Sequence, residues 1–416
     1  MSPRGLCVPL GTFQAGAPAV EGAPESRPNQ TIDEQMTTVT GILEWPARAE
    51  GRVRQFRDGF LESPDDPFVP VALGDKYPLR HGQQITVEVV QRKPRRRRGK
   101  GGAPKASRPV VDDIIQIEGL EPGALAMRKP FDQLTVIDPQ PILHLEHPGC
   151  PAACRLIDLF CPLGKGQRGL IVSPPKVGKT TLLKDIANAL HHNHPDLEVY
   201  ALLVDERPEE VTDFRRSVPC QVIASSNDHD LNRHIAVATA TLDRAKRMVE
   251  AGKDVVILLD SLTRVGRAFN NSARHANTGR TLTGGIDSGA LQIPRQIFGA
   301  ARNAEEGGSL TVIATCLVDT GSRGDQVIFE EFKGSGNMEL ILDRKIAERR
   351  LFPAINLAQS GTRKEELLLS PNAVKATTAL RRRLLNMPPH EQVERLLAAL
   401  KRFETNEDLV TATSGG

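Results

Sequence analysis

The stretch from Gly169 to His192, GLIVSPPKVGKTTLLKDIANALHH, constrains this chain more than any other. The apolar run Leu170, Ile171 and Val172 reads as a buried strand. It leads into Ser173-Pro174-Pro175-Lys176-Val177-Gly178-Lys179-Thr180, after which Leu182, Leu183, Ile186, Ala187 and Leu190 recur at helical spacing. Strand, loop and helix in this order suit a polyphosphate, because backbone N–H groups at a helix N-terminus bind anions when no side chain blocks the approach. Gly178 supplies that bare backbone, Lys179 can reach β- and γ-phosphate oxygens, and the Thr180 hydroxyl can ligate Mg²⁺. Ser173 stands where the usual G-x-x-x-x-G-K-[ST] pattern has its first glycine, so a glycine-rich structural turn remains the alternative.

A chain of 416 residues is long for one core and points to two or three domains. Its net charge of +3 conceals an asymmetry: Gln91 to Pro109 holds nine Lys or Arg and no acid, so the remainder is acidic overall. Six cysteines without paired spacing beyond Cys150-x-x-x-Cys154 suggest a reducing compartment rather than a disulfide framework. Cys150, Cys154 and Cys161 lack a fourth ligand at zinc-site spacing. No apolar leader of roughly 7–15 residues opens the chain, and the most apolar run, Val255 to Leu259, is too short to span a bilayer. The expectation is a soluble, cytoplasmic protein with no membrane partner.

Residues 1–36 are rich in Pro, Gly, Ala and Ser and lack periodicity, which reads as a disordered tail. Over 37–120, the runs VTGILEW, GRVRQF, DPFVPV, QQITVEVV and VVDDIIQI are separated by turn residues and predict a small five-stranded barrel of the oligonucleotide-binding or cold-shock type. The basic stretch 91–109, with Arg95, Arg96 and Arg97 at its centre, falls between the last two of these strands. It reads either as a solubilising loop or as a site for a phosphate backbone. A Pro-rich connector over 121–162 follows. In 163–416, VYALLVDE, QVIASS, DVVILLDS and LTVIATCLV alternate with helical segments, notably Leu231 to Ala251. Buried apolar strands alternating with helices predict a parallel α/β sheet with its ligand at the C-terminal strand ends.

Two acids close such strands: Asp260 ends VVILLD and Glu206 ends LLVDE. An aspartate there can hold the Mg²⁺ shell through water, and a glutamate one strand over can orient and deprotonate an attacking water. Taken singly, each could instead be a helix cap or a surface acid; together with the phosphate loop they read as a hydrolysis site.

The motifs GQRGLIVSPPKVGKTTLL, DERPEEVTDF, DVVILLDSLTR, LTGGIDSGAL, DTGSRGD, EEFKGSGNMEL, RKIAERRLFPAI and SGTRKEELL resemble, nearly continuously from about 163 to 370, the bacterial Rho transcription-termination family. Its members are ring-shaped hexameric RNA-dependent ATPases and RNA–DNA helicases. The resemblance implies a RecA-like ATPase domain that uses ATP and Mg²⁺, single-stranded RNA as ligand, a homohexamer, and an RNA polymerase elongation complex as partner. On matching positions it implies that the loop Pro175, Lys176, Val177, Gly178, Lys179, Thr180 and Thr181 grips phosphates and magnesium. It further implies that Glu206 is general base with Arg207 beside it, that Asp260 serves the metal, and that Phe352 stacks on adenine. Arg363 would be the arginine finger for the neighbouring subunit, with Arg350 a second cation at that seam. Two loops would line an RNA channel: one with Arg280, Leu282, Thr283, Gly284 and Gly285, the other with Thr320 to Gly324, including Arg323, with Lys333 following. Read from the residues alone, Arg363 could equally be a salt-bridge residue.

The barrel departs from the family. A Gly-Phe-Gly-Phe type strand is replaced by Glu50-Gly51-Arg52-Val53-Arg54, so two stacking rings are missing. At ~1–3 kcal/mol per stacked base their loss amounts to roughly 2–6 kcal/mol. Phe68 falls where the family has another stacking aromatic, and Arg52 and Arg54 could stack as guanidinium planes. The expectation is that RNA capture moves toward these arginines and the basic insert. Two other readings stay open: a rotary-type ATPase or ATP synthase-like subunit, and a non-enzymatic RNA-binding protein with a vestigial nucleotide site.

Overall fold

The computed structural model describes residues 36–45, 50–55, 63–92 and 108–414. Residues 1–35 of the proposed N-terminal tail and the centre of the basic insert, including Arg95, Arg96 and Arg97, lie outside these residues.

Five strands, β1 (Thr37–Glu44), β2 (Gly51–Arg54), β3 (Phe68–Val69), β4 (Gln84–Arg92) and β5 (Arg108–Ile117), close into a barrel in the order β1-β2-β3-β5-β4. Each coincides with one of the five apolar runs of the sequence. Leu43, Val53, Ile85, Val87, Val111 and Ile117 fill the interior, as alternation along strands requires. The barrel is seated on the helix Leu231–Glu250, whose Asp230 cap accepts from the Arg233 N–H at 2.9 Å. Arg244 of that helix is buried and pairs with Glu118, and its guanidinium also donates to Gln84 Oε1 at 3.1 Å. Gly82, at φ 86°, is pressed so close that a Cβ there would lie 2.8 Å from the Asp243 carbonyl carbon. Arg80 adds an ion pair to Glu250 at 3.0 Å.

The second sheet contains β6 (Val136–Ile137), β7 (Arg168–Ser173), β8 (Glu198–Glu206), β9 (Gln221–Ser226), β10 (Asp254–Asp260), β13 (Arg302–Ala304), β14 (Ser309–Leu317), β15 (Met338–Ile341) and β16 (Gly361–Thr362); β11 (Thr281–Leu282) and β12 (Ile286–Asp287) form a separate hairpin. Its main path runs β16-β15-β7-β14-β10-β8-β9, parallel from β15 to β9. Burial on both faces explains why these strands read as continuous apolar runs. Along β7, Ile171 packs into one core layer with Leu156, Leu182 and Ile186, while Leu170 and Val172 pack into the other with Phe298 and Phe332. Within the span read as a connector, the helix Ala152–Phe160 is buried almost throughout and belongs to the first of these layers.

Candidate nucleotide site and nucleic-acid loops

The phosphate-binding loop leaves the C-terminal end of β7 and turns at Gly178, φ 88°, into the helix Lys179–Asn193. Glycine suits this position because of its φ. L side chains rarely adopt this φ, while the Phe352 ring 3.4 Å from where a Cβ would stand is at ordinary contact distance. Ser173, in place of the usual first glycine, is fully buried and donates to the Pro174 carbonyl at 3.0 Å, so its hydroxyl is turned into its own backbone. Phe352 is 44% exposed and forms one wall of a cleft of about 400 Å³, shared with Val177, Gly178, Thr181, Asp185 and Pro353.

The strand ends bring three charged groups together. Lys179 Nζ pairs with Asp260 Oδ1 and lies 3.5 Å from Glu206 Oε1. The Thr315 hydroxyl donates to Asp260 Oδ1 at 2.9 Å. Arg264, one turn into the helix Leu262–Asn270 that follows Asp260, donates through Nη2 to Glu206 Oε2 at 3.1 Å and also pairs with Asp205. Glu206 is 3% exposed, and burial, followed by the neighbouring Asp260, pushes its carboxyl up to about 7 against the opposing pull of Lys179 and Arg264. Its Oε1 lies 3.1 Å from Arg264 Nε but accepts no aligned hydrogen bond. A buried carboxylate oxygen with an open lone pair, near-neutral in affinity for a proton, is equipped to take one from water. The donor set of Thr180 and Asp260 beside a helix N-terminus fits a hard divalent cation carried on phosphates. Arg264 and Thr315 were not singled out from sequence. Arg264 lies within the DVVILLDSLTR motif, whereas Thr315 has no local signal.

Arg207 is exposed at the start of the helix Pro208–Ser217, next to Glu206. Arg350, exposed with φ 62°, precedes Phe352. Arg363 lies elsewhere. It follows β16, and its N–H and Nη2 donate to the Asn337 and Gly334 carbonyls at 2.8 and 3.1 Å. Met338 pairs with both Thr362 and Gly169, which sets Arg363 at the N-terminal end of β7, about 15 Å of strand from the loop that β7 feeds. The structure does not bring Arg363 to the phosphate-binding loop of its own chain.

The two glycine-bearing loops do meet. The β11–β12 hairpin carries Thr283 and Gly284, and a Cβ on Gly284, φ 82°, would lie 2.8 Å from the Arg323 carbonyl. Arg280, Thr283 and Arg323 are exposed. Beneath them Asp325 is buried, pairs with Arg267 and accepts from Thr320 Oγ1. Asn270 donates to the Gly285 carbonyl at 3.2 Å. Lys333 is at the far end of the helix Arg323–Phe332 and borders a different cleft with Pro174 and Lys345.

On the barrel, Arg52 and Arg108 lie over the Phe68 ring at 5.0 and 4.4 Å. Arg54 departs from the sequence expectation. It is 7% exposed and pairs with Glu44 and Asp66, so it offers no guanidinium face on which a base could stack.

Residues 153–362 match the ATP synthase alpha/beta family, nucleotide-binding domain. Among solved structures, a prototypical ATPase from the type III secretion system of pathogenic bacteria shares the fold at TM-score 0.54 and 20% identity, over 76% of this chain and 92% of that one. The ATPase EscN of enteropathogenic E. coli, assembled with its central stalk EscO, gives TM-score 0.51 and 25% identity over 73% and 67%. Curated relatives named transcription termination factor Rho cover far more of the sequence. That of Mycobacterium tuberculosis H37Rv is 48% identical over 86% of this chain and 58% of its own length. The proteins of Borreliella burgdorferi, 48% over 91% and 71%, and Aquifex aeolicus, 47% over 92% and 86%, are similar. This chain thus spans little more than half of the mycobacterial relatives. Likeness that includes the barrel disfavours the rotary-type alternative. Among the described residues, no helix is long and apolar enough to cross a membrane. With a nucleotide-binding domain of the ATP synthase type joined to a five-stranded barrel, and nearly half its residues shared with Rho proteins along most of its length, this chain belongs to the Rho family.

Proposed function

We propose that this protein is a transcription termination factor: a homohexameric, RNA-stimulated ATPase that translocates along nascent RNA and releases it from RNA polymerase. The observation that carries the reading is the cluster of Lys179, Asp260, Glu206 and Arg264 at the end of a phosphate-binding loop. Lys179 and the loop backbone hold the ATP phosphates, with Lys176, Thr180 and Thr181 around them. Glu206 takes the proton from the attacking water while Arg264 keeps its carboxylate in place. Thr180 and, through water, Asp260 would hold Mg²⁺, which when bound would supply positive charge against the phosphates.

A cation is still needed where charge develops on the transferred phosphoryl group. Arg363 sits at the opposite end of β7 from its own loop, which supports its acting on a neighbouring protomer, with Arg350 at the same seam. Such a finger contributes on the order of 10³–10⁵ in rate, so a lone protomer is nearly inert. RNA enters through Phe68, Arg52 and the basic insert on the barrel, and passes the paired loops bearing Arg280, Thr283, Gly284 and Arg323, with Lys333 downstream.

Steady-state ATPase of the full chain with and without C-rich single-stranded RNA, with the mass of the assembly measured alongside, tests this. The expected result is a hexamer whose turnover depends on RNA. Full-speed turnover by a monomer indifferent to polynucleotide would overturn it.

A further inference from the structure

Two arginines stand side by side at the N-terminal end of the parallel sheet. Leu170 and Val172 of β7 and Ile341 of β15 face the core layer of Phe298 and Phe332, so counting back by twos puts Arg168 and Asn337 on that same face. The row Gly169, Met338, Thr362 is followed by the row Arg168, Asn337, Arg363. Asn337 ties this row together. Its N–H donates to the Arg168 carbonyl at 3.0 Å, its Oδ1 accepts from the Arg168 N–H at 2.8 Å and from Gln167 Nε2 at 2.6 Å, and its carbonyl accepts from the Arg363 N–H. Arg168 and Arg363 are thus two strands apart, about 10 Å between their backbones, with their side chains on one face.

Nothing in the protomer balances this pair. Among the described residues no carboxylate forms an ion pair with either arginine; Asp138 nearby is taken by Lys364 at 2.9 Å, and Glu339 accepts from the Gly334 N–H at 2.8 Å. Arg168 is half-buried, and its Nε is enclosed without an acceptor. Burial, followed by Arg363, pulls its guanidinium below the ordinary arginine range. Arg363 is exposed, with Nη2 on the Gly334 carbonyl, and a cleft of about 210 Å³ lined by Gln167, Asn337 and Arg363 opens beside the row. Two like charges on one face, one of them half-buried, are costly unless an anion joins them. A phosphoryl group suits that place, because its several oxygens accept from two guanidinium forks at once.

We propose that Arg168 is a second phosphate-binding residue of the seam: together with Arg363 it clamps the γ-phosphoryl group of ATP held by the neighbouring protomer. This rests on the reading of Arg363 given above. Two planar forks fixed to adjoining strands by Asn337 orient the group and meet the charge that develops on it. ADP lacks that group, so the pair also distinguishes a neighbour loaded with ATP from one that holds ADP.

The test uses the full-length protein with saturating RNA. It measures kcat, the mass of the assembly, and equilibrium affinity for ADP and for the β,γ-imido analogue of ATP. Arg168→Gln is expected to lower kcat on the order of 100-fold. It should also cut the preference for the analogue over ADP by about tenfold, with ADP affinity and assembly mass unchanged. Arg168→Lys keeps the charge but loses the fork; it should regain part of the preference while kcat stays down by about tenfold or more, and it carries the test if the glutamine variant does not fold. Turnover within about twofold of the unmodified protein in Arg168→Gln, or an equal loss of affinity for ADP and the analogue, overturns the proposal. So does a smaller assembly with the nucleotide preference intact, which would make Arg168 the partner of a neighbour's carboxylate. Failure of the underlying reading of Arg363 shows differently: Arg363→Ala would then keep full turnover.

Discussion

Lys179 stands between two acids from adjacent strands, paired with Asp260 at the end of β10 and 3.5 Å from Glu206 at the end of β8. Burial, followed by repulsion from Asp260, raises the cost of charging Glu206 and pushes its carboxyl up to about 7, above the ordinary range. ATP turnover should therefore rise with pH through about 7, as Glu206 loses its proton, and level off above. The pH profile of kcat/KM measures this, and Glu206→Gln should abolish both the activity and the rise.

The same shift has a cost in stability. The folded state binds a proton on Glu206 between the ordinary carboxylate range and about 7 that the unfolded state has already released. Stability should therefore fall as pH rises through that window. Glu206→Gln should be the more stable protein at pH 8, by on the order of 1–3 kcal/mol, with the difference gone below pH 4.5. Urea unfolding of both proteins at the two pH values reads it directly.

Arg264 holds Glu206 through the Nη2 hydrogen bond at 3.1 Å, with the unaligned Nε adding only charge, and is itself tied to Asp205. Arg264→Ala should push the Glu206 carboxyl higher and move the rising limb of the pH–rate profile to more alkaline values. A loss of about 10- to 100-fold in kcat at neutral pH is expected, partly recovered at pH 9. A uniform loss at all pH values would count against this positioning role.

The barrel strands and the long strands of the second sheet were legible because each carries its own signal, whereas that sheet's short strands and the helix Ala152–Phe160 were not. Both-face burial makes β7, β8, β10 and β14 continuous apolar runs, and the barrel strands alternate. The acids Glu206 and Asp260 were legible for the same reason, as the last residues of such runs. What escaped were pairings across the fold. Period-2 alternation puts Arg52 and Arg54 on one face of β2, and nothing in that pattern announces that Glu44 and Asp66 pair with Arg54 and bury it. Nothing local distinguishes Arg264, because partners contributed by other elements leave no periodicity behind.

The barrel is tied to the ATPase unit by the buried pair Arg244–Glu118, where Glu118 Oε1 also accepts from the Gln84 N–H at 2.8 Å. Removing one partner leaves an uncompensated charge. Arg244→Ala or Glu118→Ala should each cost about 3–5 kcal/mol, and Arg244→Met with Glu118→Leu together much less. Trp45, the one tryptophan of the chain, packs against Gly51 and Gly74 in the barrel, and its fluorescence during urea unfolding reports the barrel's release.

The helix Leu262–Asn270 touches both working parts of the site, Glu206 through Arg264 and the loop under Arg323 through the Arg267–Asp325 pair. Arg267→Ala should leave nucleotide binding intact while lowering RNA stimulation of ATPase about tenfold or more. Equilibrium binding of a fluorescent ATP analogue, set against turnover with and without RNA, separates the two effects.

RNA capture at the barrel should be unusually sensitive to salt. Two stacking rings are absent from β2, and Phe68 lies under Arg52 and Arg108. Affinity that stacking does not supply has to come from phosphate contacts, and each such contact on single-stranded RNA steepens the dependence of log K on log salt by about 0.7. Deleting Arg92 to Lys100 removes seven cations. The slope should then fall by several units if most of them engage the backbone, with affinity at 50 mM salt dropping far more than at 500 mM. Phe68→Ala should instead weaken binding about equally at all salt concentrations, by ~1–3 kcal/mol. An unchanged slope after the deletion would locate RNA capture outside the basic insert.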